Sequence, residues 1–253
     1  MIDAVILAGG KTSRALADLA HYEYEAEIDI AGHPMLEYVF DALRGARQIR
    51  RIVIIGPSSL KLTLEEDRCM ILEPGSSMLK NLQKAIERLS QDKPVLVVTC
   101  DIPLITPEAI EDFIDKCRDC KADIYYPVVS REYNEHKYPG VKRTYVTLKE
   151  GIFTGGNIFL MKPTVAYRCM RQLEQAIMLR KKPLQLCRML GWRCFFKFIW
   201  GKLSIREIEK RIEKMLQIKG MAVISNYPEI GVDVDKPSDL RLVHQILNGA
   251  AKK

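Results

Sequence analysis

The sequence lacks a long apolar run, so we expect no helix that crosses a membrane. No uncharged stretch in the 253 residues approaches the roughly 20 that a bilayer-spanning helix needs. The first residues also lack a basic segment followed by a cleavable apolar one, so we expect no signal peptide. There is no repeat, no low-complexity tract and no flexible linker. These absences exclude fibrous, disordered and membrane-spanning classes.

Cysteine is present, but not in a pattern that forms a metal site or a disulfide framework. The seven cysteines are an odd number and are scattered along the chain. Cys117 and Cys120 form one Cys-x-x-Cys pair, and no second cysteine or histidine pair completes a zinc site. We therefore expect free thiols, with this pair at a helix end, and a cytoplasmic protein.

What the sequence does contain is an alternation of strands and helices. Over the first 123 residues, apolar runs of strand length alternate with segments of helical periodicity, which predicts parallel strands between two helical layers. The predicted strands are Ile2–Ala8, Arg51–Ile55, Cys69–Leu72 and Val95–Thr99, and the predicted helices are 34–46, 76–89 (capped by Ser76 or Ser77) and 107–120.

The pattern changes after residue 123. Ile124–Val129 and Lys142–Leu148 alternate like half-exposed strands, which predicts an antiparallel part. The later predictions are a strand at 157–161, helices at 163–180, 204–218 and 237–247, and a strand at Met221–Ser225. The predicted fold class is α/β, a three-layer α/β/α Rossmann-like and mostly parallel sheet with an antiparallel part and a helical, basic insert.

The turn after the first strand is the most informative segment. Leu7 and Ala8 lead into Gly9-Gly10, and Lys11 and Arg14 follow. Glycine has no Cβ, so the backbone can turn sharply and bring its N–H groups against a ligand. Two cations beyond the turn supply charge for a phosphate chain. The pattern indicates either a phosphate-binding loop or an ordinary strand-to-helix turn.

Other predicted strands end in loops that can reach the same crevice, because open α/β sheets bind ligands at the carboxyl ends of their strands. Pro74-Gly75 follows the third strand and Asp101 the fourth. A carboxylate in Asp101's place is costly unless it binds a cation or hydrogen-bond donors. Asp233 and Asp235 add carboxylates where a strand gives way to a helix, and Mg²⁺ prefers oxygen ligands. The alternatives are a solvated turn residue for Asp233 and a helix N-cap for Asp235.

Four short motifs occur in a fixed order: Leu7–Arg14, Ile30–Leu36, Asp101–Leu104 and Val232–Leu240. They resemble the signature turn, the G-x-P-hydrophobic segment, the metal-binding D-x-P loop and the closing D-x-P-x-D-L segment of the MobA-like NTP transferases. These are GT-A-type nucleotidyltransferases, related to the molybdenum cofactor guanylyl- and cytidylyltransferases and the sugar-phosphate nucleotidyltransferases. The similarity extends over residues 1–125 and 220–245.

The resemblance implies transfer of an NMP from an NTP to a phosphorylated small-molecule acceptor, with release of pyrophosphate and with Mg²⁺ or Mn²⁺ as cofactor. The site residues that it implies are Leu7, Ala8, Gly9, Gly10 and Gly75 for the nucleoside, Lys11 and Arg14 for the β- and γ-phosphates, Asp101, Asp233 and Asp235 for the metal, and Asn157 for the acceptor. Lys11, Arg14 and Asp101 are the implied catalytic residues.

One position departs from the family pattern. Members carry a phosphate-contacting lysine before the G-x-P segment, and the aligned position here is Glu25. A glutamate cannot bind phosphate in that way, so either another cation such as Lys80 substitutes or activity is altered or absent. The alternatives to the enzyme are therefore a non-catalytic nucleotide-binding or regulatory protein of the same fold and an NDP-sugar-dependent glycosyltransferase. The early Gly-Gly turn disfavours the glycosyltransferase.

The net charge of +7 has a local origin. Residues 180–220 contain twelve Lys or Arg against three Glu, so nucleic acid is not an expected partner of the fold as a whole. Treated as one helix, 183–203 places Arg188 and Lys202 opposite Arg193 and Lys197, which disfavours a membrane-surface helix. The alternatives are cationic chains over buried aromatics, a cap over the acceptor pocket, or a surface for anionic lipid.

We expect one nucleotidyltransferase domain over residues 1–253. Its predicted nucleotide-binding half is 1–125, and its predicted acceptor-binding half is 126–253, with the basic aromatic insert at about 180–220.

Overall fold

The computed structural model describes residues 1–17, 22–59, 68–119, 121–168 and 182–250. Its strands are β1 (Ile2–Leu7), β2 (Asp29–Ile30), β3 (His33–Pro34), β4 (Ile49–Ile55), β5 (Cys69–Leu72), β6 (Val95–Thr99), β7 (Ile124–Ser130), β8 (Val146–Leu148), β9 (Gly151–Gly155), β10 (Ile158–Met161) and β11 (Gly220–Ser225). Its helices are α1 (Arg14–Ala17), α2 (Met35–Gly45), α3 (Met78–Ile86), α4 (Pro107–Lys116), α5 (Arg131–Lys137), α6 (Pro163–Arg168), α7 (Pro183–Met189), α8 (Trp192–Ile199), α9 (Ile205–Leu216) and α10 (Pro237–Ala250).

Within these residues, nine strands form one mixed sheet in the order β5-β4-β1-β6-β10-β7-β9-β8, with β11 paired to β7. The first half is parallel, as β4 and β6 both run parallel to β1. The second half is largely antiparallel, since β10 pairs antiparallel with both β6 and β7. The predicted fold class is confirmed, including its antiparallel part.

Helices cover both faces of the sheet. On one face α2 and α4 bury Leu43, Ile110 and Phe113 against the strands. On the other face α3 and α6 bury Leu82 and Val165. The strands between two apolar layers are therefore near-continuous hydrophobic runs, which is why β6 was predicted to the residue.

Several predicted bounds change in the structure. Ser77 is the cap of α3, but that helix ends at Ile86 rather than Leu89, and α4 ends at Lys116. Cys117 lies at this helix end, as predicted, whereas Cys120 is outside the described residues. The helix predicted at 163–180 is described only as α6, and its remainder also lies outside them.

The basic aromatic segment was wrongly treated as one helix. It forms two helices, α7 and α8, separated at Gly191, which has φ +108°. A backbone in that region favours glycine because it has no Cβ. The prediction that Arg188 and Arg193 lie on opposite sides of a single helix therefore does not apply. No helix of the described residues is long and apolar enough to cross a membrane.

A break between β9 and β10 shapes the sheet next to the site. Both strands lie on the same edge of β7, where β9 pairs with Val128–Ser130 and β10 with Ile124–Tyr125. Between them, the Gly156 N–H donates to the carbonyl of Pro127 at 3.0 Å and the Asn157 N–H donates to that of Ile230 at 2.9 Å. The chain at this break is therefore bonded to β7 on one side and to the segment of Ile230 on the other.

Gly156→Ala is expected to lower the free energy of unfolding by about 2 kcal/mol, because the added atom overpacks the break. A Cβ there would lie 2.5 Å from Cγ2 of Ile230 and 2.9 Å from Cγ of Pro127. Gly249→Ala is the control, since its Cβ would meet nothing within 4 Å and alanine favours a helix. Urea unfolding measures both variants. Equal loss in the two would contradict the explanation.

Candidate active site

A first cavity lies at the carboxyl ends of β1 and β6. Leu7 and Thr99 pair in register at the ends of these strands, so the loops that follow them start side by side. The cavity has a volume of about 230 Å³. Its lining includes Leu7, Gly9, Gly10, Glu25, Gly75, Asn81 and Asp101. The predicted convergence of the glycine turn, the Gly75 loop and the Asp101 loop is thus observed.

Close backbone contacts hold the two glycine loops of this cavity together. A Cβ on Gly9 would lie 2.7 Å from Cβ of Pro74, so a larger residue would force the loops apart. Asn81, buried on α3, accepts a hydrogen bond from the Gly75 N–H at 2.5 Å. The cavity wall is therefore built by close approach of main chain.

Lys11 and Arg14 are not among the residues that line the first cavity. The Lys11 ammonium lies 3.3 Å from the Glu23 carboxylate, and its side chain is 74% exposed. The Thr12 N–H donates to the carbonyl of Glu23, and the Glu25 N–H donates to that of Gly10. The loop after the glycines is thus attached to the segment that carries Glu25.

Glu25 lies at the cavity wall, where the family pattern places a lysine. Burial raises the pKa of the Cys100 thiol, and the carboxylates of Asp101 and Glu25 raise it further. Glu25 therefore adds negative charge beside Asp101 rather than a cation for phosphate. Lys80, the suggested substitute, is exposed on α3 and, like Lys11 and Arg14, is not among the residues that line the cavity.

Three carboxylates meet at one edge of the first cavity. One oxygen each of Asp101, Asp233 and Asp235 lie within 4.8 Å of one another. Thr99 donates a hydrogen bond to the Asp101 carboxylate, and the Val234 N–H donates to the Asp101 carbonyl at 2.8 Å. Carboxylate oxygens this close together suit a hard divalent cation, so the donor set fits Mg²⁺ or Mn²⁺.

Arg143 contacts this carboxylate cluster, and sequence analysis did not identify it. Its guanidinium donates to the Asp233 carboxylate and, at 2.9 Å, to the Asp233 carbonyl. Each of the two side chains is 7% exposed. Such a buried pair fixes Asp233 in place, because removing either partner would leave an uncompensated charge.

A second cavity of about 230 Å³ is lined by the later part of the chain, between residues 126 and 239. It is lined by Asp233 and Asp235, by the cations Lys142, Arg143 and Lys236, and by polar or small residues that include Thr144, Thr154, Gly156 and Asn157. Asn157 therefore belongs to this cavity and not to the one that holds the glycine turns. Among the residues that the structure describes, none lines both cavities.

Asp239, rather than Asp235, satisfies the start of α10. Its carboxylate accepts hydrogen bonds from the N–H groups of Asp235 and Lys236, each at 3.2 Å. Burial raises the pKa of Asp239 despite the nearby Arg143 guanidinium. Asp239 thus holds the two residues that precede α10, and the Asp235 carboxylate joins the cluster.

Arg143 and Asn81 had weak sequence signals. Arg143 falls in the strand predicted at Lys142–Leu148, but the strand begins only at Val146, so Arg143 lies in an irregular stretch and the predicted alternation was misleading there. Asn81 is a polar residue buried on an amphipathic helix, a pattern that indicates a required hydrogen bond. The sequence therefore indicated a hydrogen bond of Asn81, but it did not show that the partner is the Gly75 N–H.

Residues 4–191 match the family described as the MobA-like NTP transferase domain. A solved structure described as a hypothetical transferase from Thermus thermophilus is 36% identical in sequence, with a TM-score of 0.80. The match covers 94% of this chain and 99% of that chain.

Two further solved structures share the fold. One is CMP:2-keto-3-deoxy-manno-octonic acid synthetase complexed with CTP, with a TM-score of 0.64, 15% identity, and coverage of 99% of this chain and 100% of that chain. The other is 4-diphosphocytidyl-2C-methyl-D-erythritol synthase from Anaerococcus prevotii, with a TM-score of 0.59, 12% identity, and coverage of 98% and 96%. At these identities the likeness concerns the fold alone.

Proposed function

Because the chain belongs to the MobA-like NTP transferase family, a family of nucleotidyltransferases, we propose that it transfers an NMP from an NTP to a phosphorylated small-molecule acceptor and releases pyrophosphate. One observation carries this proposal. The carboxylate cluster of Asp101, Asp233 and Asp235 draws its members from the linings of two different cavities. A group transfer between two substrates needs this arrangement of two pockets and one shared centre.

We assign the first cavity to the nucleotide. Its glycine turns let main-chain N–H groups approach a ligand closely, and Asn81 fixes the Gly75 loop. Lys11 follows the Gly10 turn that lines it, Arg14 begins α1, and both are proposed to hold the β- and γ-phosphates. For Lys11 this requires the exposed ion pair with Glu23 to open, which costs little because exposed pairs are weak.

We assign the second cavity to the acceptor. Lys142 and Lys236 supply positive charge, and Thr144 and Asn157 can hydrogen-bond hydroxyl or phosphate groups. The lining of the first cavity lies within residues 7–101 and that of the second within 126–239. This supports the proposed division into a nucleotide-binding half, 1–125, and an acceptor-binding half, 126–253.

The proposed reaction needs no nucleophile from the protein. A phosphate oxygen of the acceptor attacks the α-phosphorus, the bond from that phosphorus to the bridging oxygen breaks, and pyrophosphate leaves. Asp101, Asp233 and Asp235 would hold a divalent metal ion, which supplies charge stabilisation at the α-phosphate. Arg143 keeps the Asp233 carboxylate and main chain in place for this purpose. The protein mainly positions the two substrates.

A non-catalytic nucleotide-binding protein of the same fold is the second candidate. Glu25 favours it, because a carboxylate lines the cavity where a phosphate-binding lysine is expected. A triphosphate would bind there against like charge. The two candidates predict binding alike, but only the first predicts turnover.

Binding and turnover are measured separately. With Mg²⁺ and an NTP at about 100 times its Kd, the melting temperature is expected to rise by about 5–10 °C, because the ligand binds the folded state. Pyrophosphate release is then expected only after addition of an acceptor from a panel of sugar and polyol phosphates. A thermal shift without release across the panel would favour the non-catalytic candidate. No shift with ATP, GTP, CTP or UTP would contradict both.

A further inference from the structure

Helix α8 presents an aromatic surface to solvent. Trp192, Phe196 and Trp200 recur every four residues and therefore lie on one side of the helix. Their side chains are 59%, 49% and 69% exposed, and Ile199 beside them is 54% exposed. The ring centroids of Trp192 and Phe196, and those of Phe196 and Trp200, are each 6.2 Å apart. We call these four residues the aromatic ridge.

The aromatic ridge is not needed to attach α8 to the protein. A different side of the helix packs Cys194, Phe195 and Phe198 against the cluster of Leu148, Phe153, Cys187 and Leu203. Lys197 of the same helix also pairs with Glu207 on α9. The helix therefore has one apolar side that faces the core and a second that remains exposed, which is typical of an interaction surface.

Two arginines lie beside the aromatic ridge. The Arg188 guanidinium lies 5.3 Å from the Trp192 ring centroid, and Arg193 is exposed next to it. Two of the three glutamates between 180 and 220 are held in contacts of the fold: Glu207 accepts from Lys197 and Ser204, and Glu209 accepts from the Ala222 N–H. Both arginine side chains thus face solvent next to the exposed rings.

We propose that the aromatic ridge is a docking surface for an anionic lipid bilayer. Tryptophan and phenylalanine are suited to the boundary between headgroups and acyl chains, and neighbouring arginines to lipid phosphates. The proposed docking attaches the protein to the bilayer surface without crossing it. It does not depend on the proposed nucleotidyltransferase activity.

The test uses the tryptophans themselves. The chain contains only two, Trp192 and Trp200, so its tryptophan fluorescence reports on the ridge alone. The full chain is mixed with vesicles of phosphatidylcholine, with or without phosphatidylserine. We expect a blue shift and co-sedimentation with the phosphatidylserine vesicles, both reduced by salt. Absence of both would overturn the proposal.

Substitutions distinguish vesicle binding through the aromatic ridge from unspecific adsorption of the protein to vesicles. Arg188→Gln and Arg193→Gln are each expected to weaken binding to phosphatidylserine vesicles about fivefold, which corresponds to about 1 kcal/mol for each cation at the surface. Phe196→Ser should weaken it at least as much and keep the fluorescence readout. Tyr133→Ser, at a side chain 47% exposed on α5, is the control and should bind like the wild type.

Other occupants would give different results. A second copy would appear as a concentration-dependent dimer in size-exclusion chromatography that Phe196→Ser dissociates, without vesicle binding. Single-stranded RNA that binds and competes fully with the vesicles would make nucleic acid the partner. Either outcome would overturn the lipid proposal. If Phe196→Ser fails to fold, the two arginine variants still decide, because both side chains are exposed.

Discussion

Asp101→Asn is expected to lower the rate of pyrophosphate release by about 10³-fold, equivalent to about 4 kcal/mol in the activation free energy. Asparagine keeps the shape of the side chain and can still accept the hydrogen bond from Thr99. It removes one of the three negative charges that are proposed to hold the metal ion. Release of pyrophosphate from the saturating NTP, in the presence of Mg²⁺ and an acceptor, measures the effect.

The loss should not come from unfolding. Three carboxylates with oxygens within 4.8 Å repel one another, so removing one charge is expected to leave the melting temperature without metal unchanged or higher. Asp41→Asn is the control, because this exposed carboxylate lies on α2, pairs there with Arg44 and lines neither cavity. It should retain full activity. More than a tenth of wild-type activity in Asp101→Asn would remove Asp101 from the proposed mechanism.

Glu25→Lys is expected to tighten NTP binding by about 100-fold. The change replaces a negative by a positive charge at the wall of the first cavity, where it would face the triphosphate in the proposed binding mode. Solvent screening limits the gain, and the gain should shrink as the salt concentration rises. Equilibrium titration with each NTP at two salt concentrations measures both effects.

The comparison with Glu213→Lys isolates position from net charge. Glu213 is exposed on α9 and lines neither cavity, and its substitution by lysine changes the net charge by the same amount as Glu25→Lys. It should leave the Kd within about twofold of the wild type, since exposed charges beyond a Debye length are screened. Weaker NTP binding in Glu25→Lys would show that the carboxylate itself contacts the nucleotide. That result would support a binding mode different from the family pattern.

The sequence predicted best where one physical pattern dominates. Strand β6 has apolar layers on both faces, so its continuous hydrophobic run is unmistakable, and α4 carries its Thr106 cap and Pro107 in sequence. The ordered motifs placed Asp101, Asp233 and Asp235 in one crevice, and the structure brings them together. The resemblance to the MobA-like family is confirmed as well.

The remainder depends on contacts that no local pattern encodes. Arg143 lies 90 residues from Asp233, its partner, and no periodicity links them. The break between α7 and α8 requires a positive φ at Gly191. Glycine permits that angle, but its presence in the sequence does not predict that the angle is adopted. A sequence window that includes such a glycine can form one helix or two, and its periodicity does not decide between them.

The separation of the two cavities has a consequence for how this chain can diversify. No residue within the described parts of the chain lines both, and the two linings come from different stretches of the sequence. Under the proposed assignment, a substitution at Gly75 or Asn81 changes the nucleotide pocket without touching the pocket of Lys142 and Asn157. Mutation would in this way exchange one substrate preference while preserving the other, with the three aspartates unchanged.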